Sequence, residues 1–537
     1  MHTFTFLRRF RAYDLRVPAI LLLFGIAISA DVNAANRPNI VLMVADDMGY
    51  SDPGCFGGEI ATPNIDQLAH EGVRLTHFYN GGMCVVSRAM MFSGQWWPAA
   101  LPAFNELDLL PEQLHDSGYR SALIGKWHLD GHPMDHGFDH FFGFLTGFAD
   151  HFAGAPSYRI DRKPFRDFGD DFYSSDALSD RAIKFIHDAA KQQPAAPFFL
   201  CLSYQSPHNP LQAPREDIMK YRGRYAAGWQ AVREARFERQ KELGLIADDA
   251  VLPAYPQNLP DWNSLSEEQR DLEDLRMSVF AAMVERMDHG IGRVMDAVRS
   301  SGFGENTLVL FLSDNGSDSF SVLDDAMLQS DRLPGDRGSN WQLGTGWAYA
   351  SVTPWRMYKI GQHAGGVTTG AVAWWPGHTG TAGRIDSRPV HVVDVLPTLL
   401  DLIGNDAPSA AGESFLPLLQ DRAWQREQPL YFQYMDNRAI RTDRWTLAEV
   451  DGAGWQLLDN QTDPLETTDL AVEKPELVGE LNAKWLAWWQ EQSGSPNYQP
   501  QSTKHSPHYH PQGDRGTGVR YVPSAMPKRL SARYATP

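Results

Sequence analysis

The 537-residue chain is poor in cysteine, short of positive charge and almost without long apolar runs. Three cysteines, Cys55, Cys84 and Cys201, exclude a disulfide-built scaffold, because at most one pair could form and one thiol would be left over. Lys and Arg number 48 against 66 Asp and Glu, a net charge of −18, so the basic footprint of a nucleic-acid-binding protein is missing. One stretch, residues 17–30, is mostly apolar, and its 14 residues fall short of the roughly 20 that a bilayer span needs. What remains is ordinary: 43% hydrophobic and 21% charged residues describe a folded globular chain. At roughly 100–200 residues per domain the length predicts two to four units.

The apolar run is preceded by Arg8, Arg9, Arg11 and Arg16 and followed by Val32-Asn33-Ala34, a small-residue cleavage pattern. Residues 1–34 therefore read as a secretory signal, which predicts a periplasmic or secreted protein with no membrane span after cleavage. Four Arg and two Asp leave with the signal, taking the net charge from −18 to −20.

Three later segments are apolar without alternation, the mark of strands buried on both faces. PNIVLMVA (38–45) ends in Asp46-Asp47, PFFLCLSY (197–204) precedes Ser206-Pro207-His208, and TLVLFLS (307–313) runs into Asp314-Asn315-Gly316. Residues 370–375 predict one strand more. Thr62-Pro63 opens a helix that ends at Glu71 before Gly72. Apolar residues at 280, 283, 284, 287, 291, 294, 295 and 298 predict a helix over 272–300. Strands alternating with helices predict an α/β fold, with a large mixed, mostly parallel sheet flanked by helices. Short strands at 431–433, 438–441, 445–449 and 455–459, then a helix near 475–491, predict a small C-terminal antiparallel sheet plus helix. The boundaries are read as 35–424 for the large domain, 425–492 for the small one and 493–537 for a tail. The tail holds seven prolines and six Lys or Arg against one Asp.

Ligand sites of such sheets lie beyond the carboxyl ends of the strands. Asp46, Asp47, His208, Asp314 and Asn315 all fall there. Three carboxylates and an amide oxygen suit a hard cation, Ca²⁺ or Mg²⁺, more than Zn²⁺. Cys84-Val85-Val86-Ser87-Arg88 stands at a predicted helix start, where backbone N–H groups and the dipole favour an anion, with the forked charge of Arg88 one turn on. Read one at a time, these residues have plainer explanations: an Asp pair that caps a turn, a buried thiol at Cys84, a solvated Lys126, a packed His128 beside Trp127, a free loop lysine at Lys359. His132, His136, His140 and His151 cluster in number. Cys55 and Cys201 read as inert.

Taken together, the motifs resemble those of the type I sulfatases of the alkaline-phosphatase superfamily, close to bacterial arylsulfatases. The segments that carry the resemblance are PNIVLMVADDMGYSD (38–52), TPNIDQLAHEGVRLTHFY (62–79), CVVSRAMMFSG (84–94), GYRSALIGKWHL (118–129), HGFDHFFGFLTG (136–147), SPHNP (206–210), LVLFLSDNGS (308–317) and TPWRMYKIGQHAGG (353–366). RAIRTDRWTL (438–447) and WQLLDNQTDPLETTDLA (455–471) are similar to the family's small terminal domain. The resemblance covers about 37–490 and implies an alkaline-phosphatase-like fold.

It also implies a chemistry. Cys84 would be oxidised to formylglycine by a formylglycine-generating enzyme. One hydroxyl of the hydrated aldehyde would attack sulfur and expel the alcohol, and the other would let the covalent ester collapse and release sulfate. Asp46, Asp47, Asp314 and Asn315, with the modified Cys84, would bind one Ca²⁺. Arg88 would steady the diol, His128 would contact it, Lys126 and Lys359 would hold sulfate oxygens, and His208 would protonate the leaving oxygen. The expected partner is an aryl or saccharide sulfate ester, with no nucleic acid. A phosphonate or phosphodiester hydrolase of the same superfamily, and a non-catalytic binder of sulfate esters, are the alternatives. The chain departs from the family at four positions. Val86 stands where Pro or Ala is usual in the maturation motif, Ser93 and Gln95 where Thr and Arg are common, and Ala364 where a Glu is usual.

Overall fold

The computed structural model describes residues 37–192, 194–256, 259–320, 331–450, 454–499 and 534. The predicted signal segment and nearly all of the predicted tail lie outside them. The chain's centre is a strand whose eight residues, Asn39–Asp46, are all buried. Ile40, Leu42 and Val44 pack into one core and Val41, Met43 and Ala45 into the other, which is why the segment carries no polar alternation. This strand is β1, flanked in parallel by Phe198–Pro207 on one side and Thr307–Ser313 on the other. With Arg120–Lys126 as β2, these become β3 and β4, and β2 pairs in parallel with β3.

The full sheet has ten strands, running from Arg384–Asp386 through Val73–Leu75, Ala371–Trp374, β4, β1, β3, β2, His140–Phe144 and Tyr158–Ile160 to Lys163–Pro164. Ala371–Trp374 is the strand expected at 370–375. It runs antiparallel to β4, so the sheet is mixed, as predicted. Strand β3 extends to Pro207, three residues past the predicted end, and places His208 directly at the sheet edge.

Helix 267–300 is the long predicted one, but it begins five residues earlier than the apolar spacing indicates. The reason is a capping box: Ser266 Oγ accepts from Gln269 N at 3.2 Å, and Gln269 Oε1 accepts from Ser266 N at 2.8 Å. Its Asp288 caps another helix, Pro63–Glu71, accepting from the backbone N–H of Asn64 and Ile65 at 3.1 and 2.8 Å.

The C-terminal part is a four-stranded antiparallel sheet of Leu430–Tyr434, Asn437–Arg441, Trp445–Glu449 and Trp455–Asp459, closed by helix Pro475–Ser493. Fully buried Trp485 on that helix donates its indole N–H to Phe432 O at 3.2 Å. The Arg438 guanidinium lies over Trp455 at 4.2 Å and over Trp485 at 5.1 Å. No helix among the described residues is long and apolar enough to cross a membrane.

One glycine governs how β2 and β3 meet. Gly125 has φ of +121°, and a Cβ there would stand 1.8 Å from Ser203 O, a backbone atom that cannot rotate away. Gly125→Ala is expected to cost about 3 kcal/mol or more, since both strain and overpacking fall on one position. A shift in the urea midpoint with unchanged slope would measure it.

Candidate active site

The acids stand where β1 and β4 end. Asp46 is the last residue of β1, and Asp47 turns into the left-handed region at φ 66°. His128, two residues past the end of β2, does the same at φ 55°. Such backbone costs about 1 kcal/mol or more and persists only where surroundings impose it. Cys84 opens the helix Cys84–Ser93 and Arg88 lies one turn in. Gly94, at φ 64°, ends the helix.

The ten residues singled out in the sequence come together in one buried network. Lys126 Nζ lies 2.5 Å from Asp46 Oδ2, and Lys359 Nζ 2.5 Å from Asp47 Oδ1. Asn315 Nδ2 donates to the same Asp47 oxygen at 2.5 Å. Arg88 Nε and Nη2 both reach Asp314 Oδ2, at 2.9 and 2.8 Å. Cys84 Sγ is 3.2 Å from His128 Nδ1. His208 Nε2 is 3.5 Å from Asp47 Oδ2, while its Nδ1 is 2.7 Å from Asn209 O. Lys126 and Lys359 are almost wholly buried, so the surface-lysine reading of either fails.

Four oxygens of this network have no hydrogen-bond partner although they are buried: Asp46 Oδ1, Asp47 Oδ2, Asp314 Oδ1 and Asn315 Oδ1. Leaving a buried acceptor bare is costly, and one per residue at the same sheet edge suits a hard cation. Asp46, Asp47 and His208 also present ligand atoms within 4.8 Å of one another. The donor chemistry fits Ca²⁺. His132, His136, His140 and His151 form no comparable cluster among the described residues.

The charges are strongly coupled. Burial, partly opposed by Lys126, pushes the Asp46 carboxyl up. Burial pushes Asp47 the same way, but His208, Lys359 and Lys126 outweigh it and hold that carboxyl at about 2. Burial and the charge of Asp46 raise Asp314 to about 6. His128 and His208 are lowered to about 2 and 3, by burial first and then by neighbouring cations. Burial raises the Cys84 thiol, although Lys126 and Lys359 oppose the shift. Unmodified Cys84 is thus a poor thiolate nucleophile at neutral pH. Cys55 and Cys201 are buried thiols pushed up by burial, in line with an inert role.

Several residues of the site escaped sequence reasoning. Ser203 Oγ accepts from Arg88 Nη1 at 2.5 Å and donates to Lys126 O at 2.8 Å, tying the two cations together. Asp318 is buried with a bare Oδ2, its carboxyl raised to about 7 by burial and then by the charge of Asp47. The extra acid three residues after Asn315 was the available signal. Glu466, from the small C-terminal part, accepts from Ala364 N at 3.2–3.3 Å and pairs with Arg441 at 2.8 Å. A carboxylate 102 residues away thus caps the backbone N–H of Ala364. Glu466→Ala leaves Arg441 largely buried without that partner and should cost about 3 kcal/mol, read from thermal or urea unfolding.

The large mixed, mostly parallel sheet with helices and a small C-terminal antiparallel sheet is the alkaline-phosphatase-like fold. The Sulfatase family model matches residues 38–405, and a model described as N-sulphoglucosamine sulphohydrolase, C-terminal, matches 363–486. The chain belongs to the sulfatase family, enzymes that hydrolyse sulfuric esters. It is 33% identical to an arylsulfatase of Klebsiella aerogenes over 71% of this chain and 90% of the relative. It is 31% identical to an uncharacterised sulfatase of Schizosaccharomyces pombe over 84% of this chain and 94% of the relative. Among solved structures, Ps i-CgsB in complex with k-i-k-neocarrahexaose superposes with a TM-score of 0.64 at 24% identity, covering 87% of this chain and 96% of that one.

Proposed function

We propose that the protein hydrolyses an aryl or sugar sulfate ester to the alcohol and inorganic sulfate, with residue 84 matured to formylglycine and one Ca²⁺ bound. The observation that carries this reading is the set of four bare buried oxygens on Asp46, Asp47, Asp314 and Asn315, beside a Cys84 flanked by His128 and by two buried lysines. The formylglycine supplies a hydrated aldehyde as nucleophile and a second hydroxyl for release of sulfate. Asp46, Asp47, Asp314 and Asn315, with residue 84, would hold the Ca²⁺, which would supply positive charge to the sulfate.

The remaining work falls to this chain's own side chains. Lys126 and Lys359, now paired with Asp46 and Asp47, turn to the sulfate oxygens and offset charge that builds up as the ester bond breaks. Arg88, locked on Asp314 and Ser203, fixes the helix start that carries residue 84. His128 Nδ1 orients the residue 84 side chain. His208 sits at the sheet edge with Nε2 facing Asp47 and is the candidate to protonate the leaving oxygen; its Nδ1 proton is held by Asn209 O, so the role needs the imidazolium form, which the Asp47 carboxylate favours. Asp314 is the candidate acceptor for the nucleophile's proton.

Maturation has a consequence legible in the packing. Cys84 is 1% exposed and Val86 0% exposed. The maturation enzyme therefore has to meet the segment before the domain folds, when Val86 is not yet a core residue. Export through the predicted signal and the domain limits 35–424, 425–492 and 493–537 belong to the same reading.

The test is production with and without a co-expressed formylglycine-generating enzyme. The expected product carries a hydrazide-reactive aldehyde at residue 84 and cleaves 4-nitrophenyl sulfate faster than the matching phenylphosphonate ester. A retained thiol with ligand binding and no turnover would instead establish a binder. Faster phosphonate cleavage would establish the other hydrolase.

A further inference from the structure

The reaction centre has one apolar wall that is held in place yet left open to solvent. Phe148 is 53% exposed, and its ring stacks on His208 with centroids 6.2 Å apart and planes 14° from parallel. The residue before it, Gly147, approaches His128 so closely that a Cβ would lie 2.9 Å from Nε2. His128 in turn touches Cys84. Two consecutive residues thus reach His128, which contacts Cys84, and His208, which faces Asp47.

This wall is not a loose loop tip. Ala149 N donates to Gln205 Oε1 at 3.0 Å, and Gln205 Nε2 donates to Ala149 O at 2.6 Å. Gln205 is buried on β3, three residues ahead of His208. Thr146 Oγ1 donates to Phe148 O at 3.2 Å. One frame therefore carries both the histidine and the aromatic ring. A single exposed apolar side chain needs no explanation by itself. The other large exposed hydrophobics described, Val251, Val472 and Leu486, lie outside every motif of the site. Phe148 alone is stacked on a site residue.

We propose that Phe148 is a specificity-determining residue that stacks on the leaving group, and that the leaving group is a phenol or another flat aromatic alcohol. This rests on the sulfate-ester reading above. A proton from His208 goes to the ester oxygen, so whatever that oxygen carries lies beside His208 and the ring next to it. An aromatic face attracts another aromatic ring at offsets of about 4.5–7 Å and offers no hydrogen-bond partner to a ring of hydroxyls. A chain of net charge −18 also gives a sulfated polymer no long-range attraction.

The test uses the matured enzyme with three substrates: phenyl sulfate, methyl sulfate and a sugar 6-sulfate. Phe148→Ala should lower the phenyl-to-methyl ratio of kcat/KM about fivefold to tenfold, chiefly through KM, the range expected for one lost aromatic stack. Phe148→Tyr and Phe148→Trp should restore the ratio to within about threefold. Because the ring is half in solvent, the variants should unfold within a degree or two of the parent. An unchanged ratio overturns the proposal, as does a wild type that prefers the sugar sulfate and loses it in step with phenyl sulfate. A matured wild type that turns over none of the three overturns the sulfate-ester reading itself, a different result from an active enzyme indifferent to Phe148.

Discussion

Cys84→Ala should reduce sulfate-ester turnover by about ten-thousand-fold or more while leaving the fold intact, because alanine cannot be oxidised to the formylglycine whose hydroxyl is proposed to attack sulfur. Serine at the same position is the sharper variant. It keeps a hydroxyl at the helix start but has no second hydroxyl with which to release sulfate, so one turnover at most is expected, followed by a stable sulfated enzyme visible by mass spectrometry. The wild-type thiol is held protonated by burial, so an unmatured preparation should be nearly as inactive as the alanine variant. If the unmatured thiol enzyme turned over at the matured rate, the role given to residue 84 would be wrong. His128 lies 3.2 Å from Sγ, and His128→Ala should cost less, on the order of a hundredfold, as expected for a group that orients the nucleophile or shuttles a proton.

The second large effect concerns the cation. Asp46, Asp47 and Asp314 face Lys126, Lys359 and Arg88 in one buried cluster, three negative against three positive groups. The lysines can turn to a sulfate only if something else balances the carboxylates they leave, and a divalent ion on the four bare oxygens would do so. Chelation should therefore lower both activity and stability. At a hundredfold excess over its dissociation constant, a ligand bound only by the folded state adds about 2.7 kcal/mol. Added Ca²⁺ should restore a rise in Tm of several degrees together with activity. Asp314→Asn should weaken that calcium-dependent rise in Tm and leave Arg88 facing a neutral partner. A protein whose Tm and turnover ignore both chelator and Ca²⁺ would refute the donor set.

Much of the fold could be read directly. PNIVLMVA and TLVLFLS became neighbouring buried strands, and the four short C-terminal strands lie within a residue or so of where they were expected. The errors have particular causes. The long helix begins at Glu267 because Ser266 and Gln269 cap each other, a signal outside the apolar spacing. Strand β3 reaches Pro207 because its partner β1 continues to Asp46, and the register carries the pairing past the apolar run.

The sequence by itself singled out the candidate residues of the site. Asp46, Asp47, Lys126, His128, His208, Asp314 and Asn315 sit at or just past the ends of apolar runs, whereas Cys84 and Arg88 sit at a helix start and Lys359 in a loop. Only the tertiary structure decided what those side chains touch. Lys126 with Asp46, Arg88 with Asp314 and Glu466 with Ala364 join positions 80, 226 and 102 residues apart. Such pairings are set by which strand ends stack side by side in the sheet, and no local spacing encodes them. The exposure of Phe148 against His208 is of the same kind, since a phenylalanine reads as core until the neighbouring frame leaves one face of it in solvent.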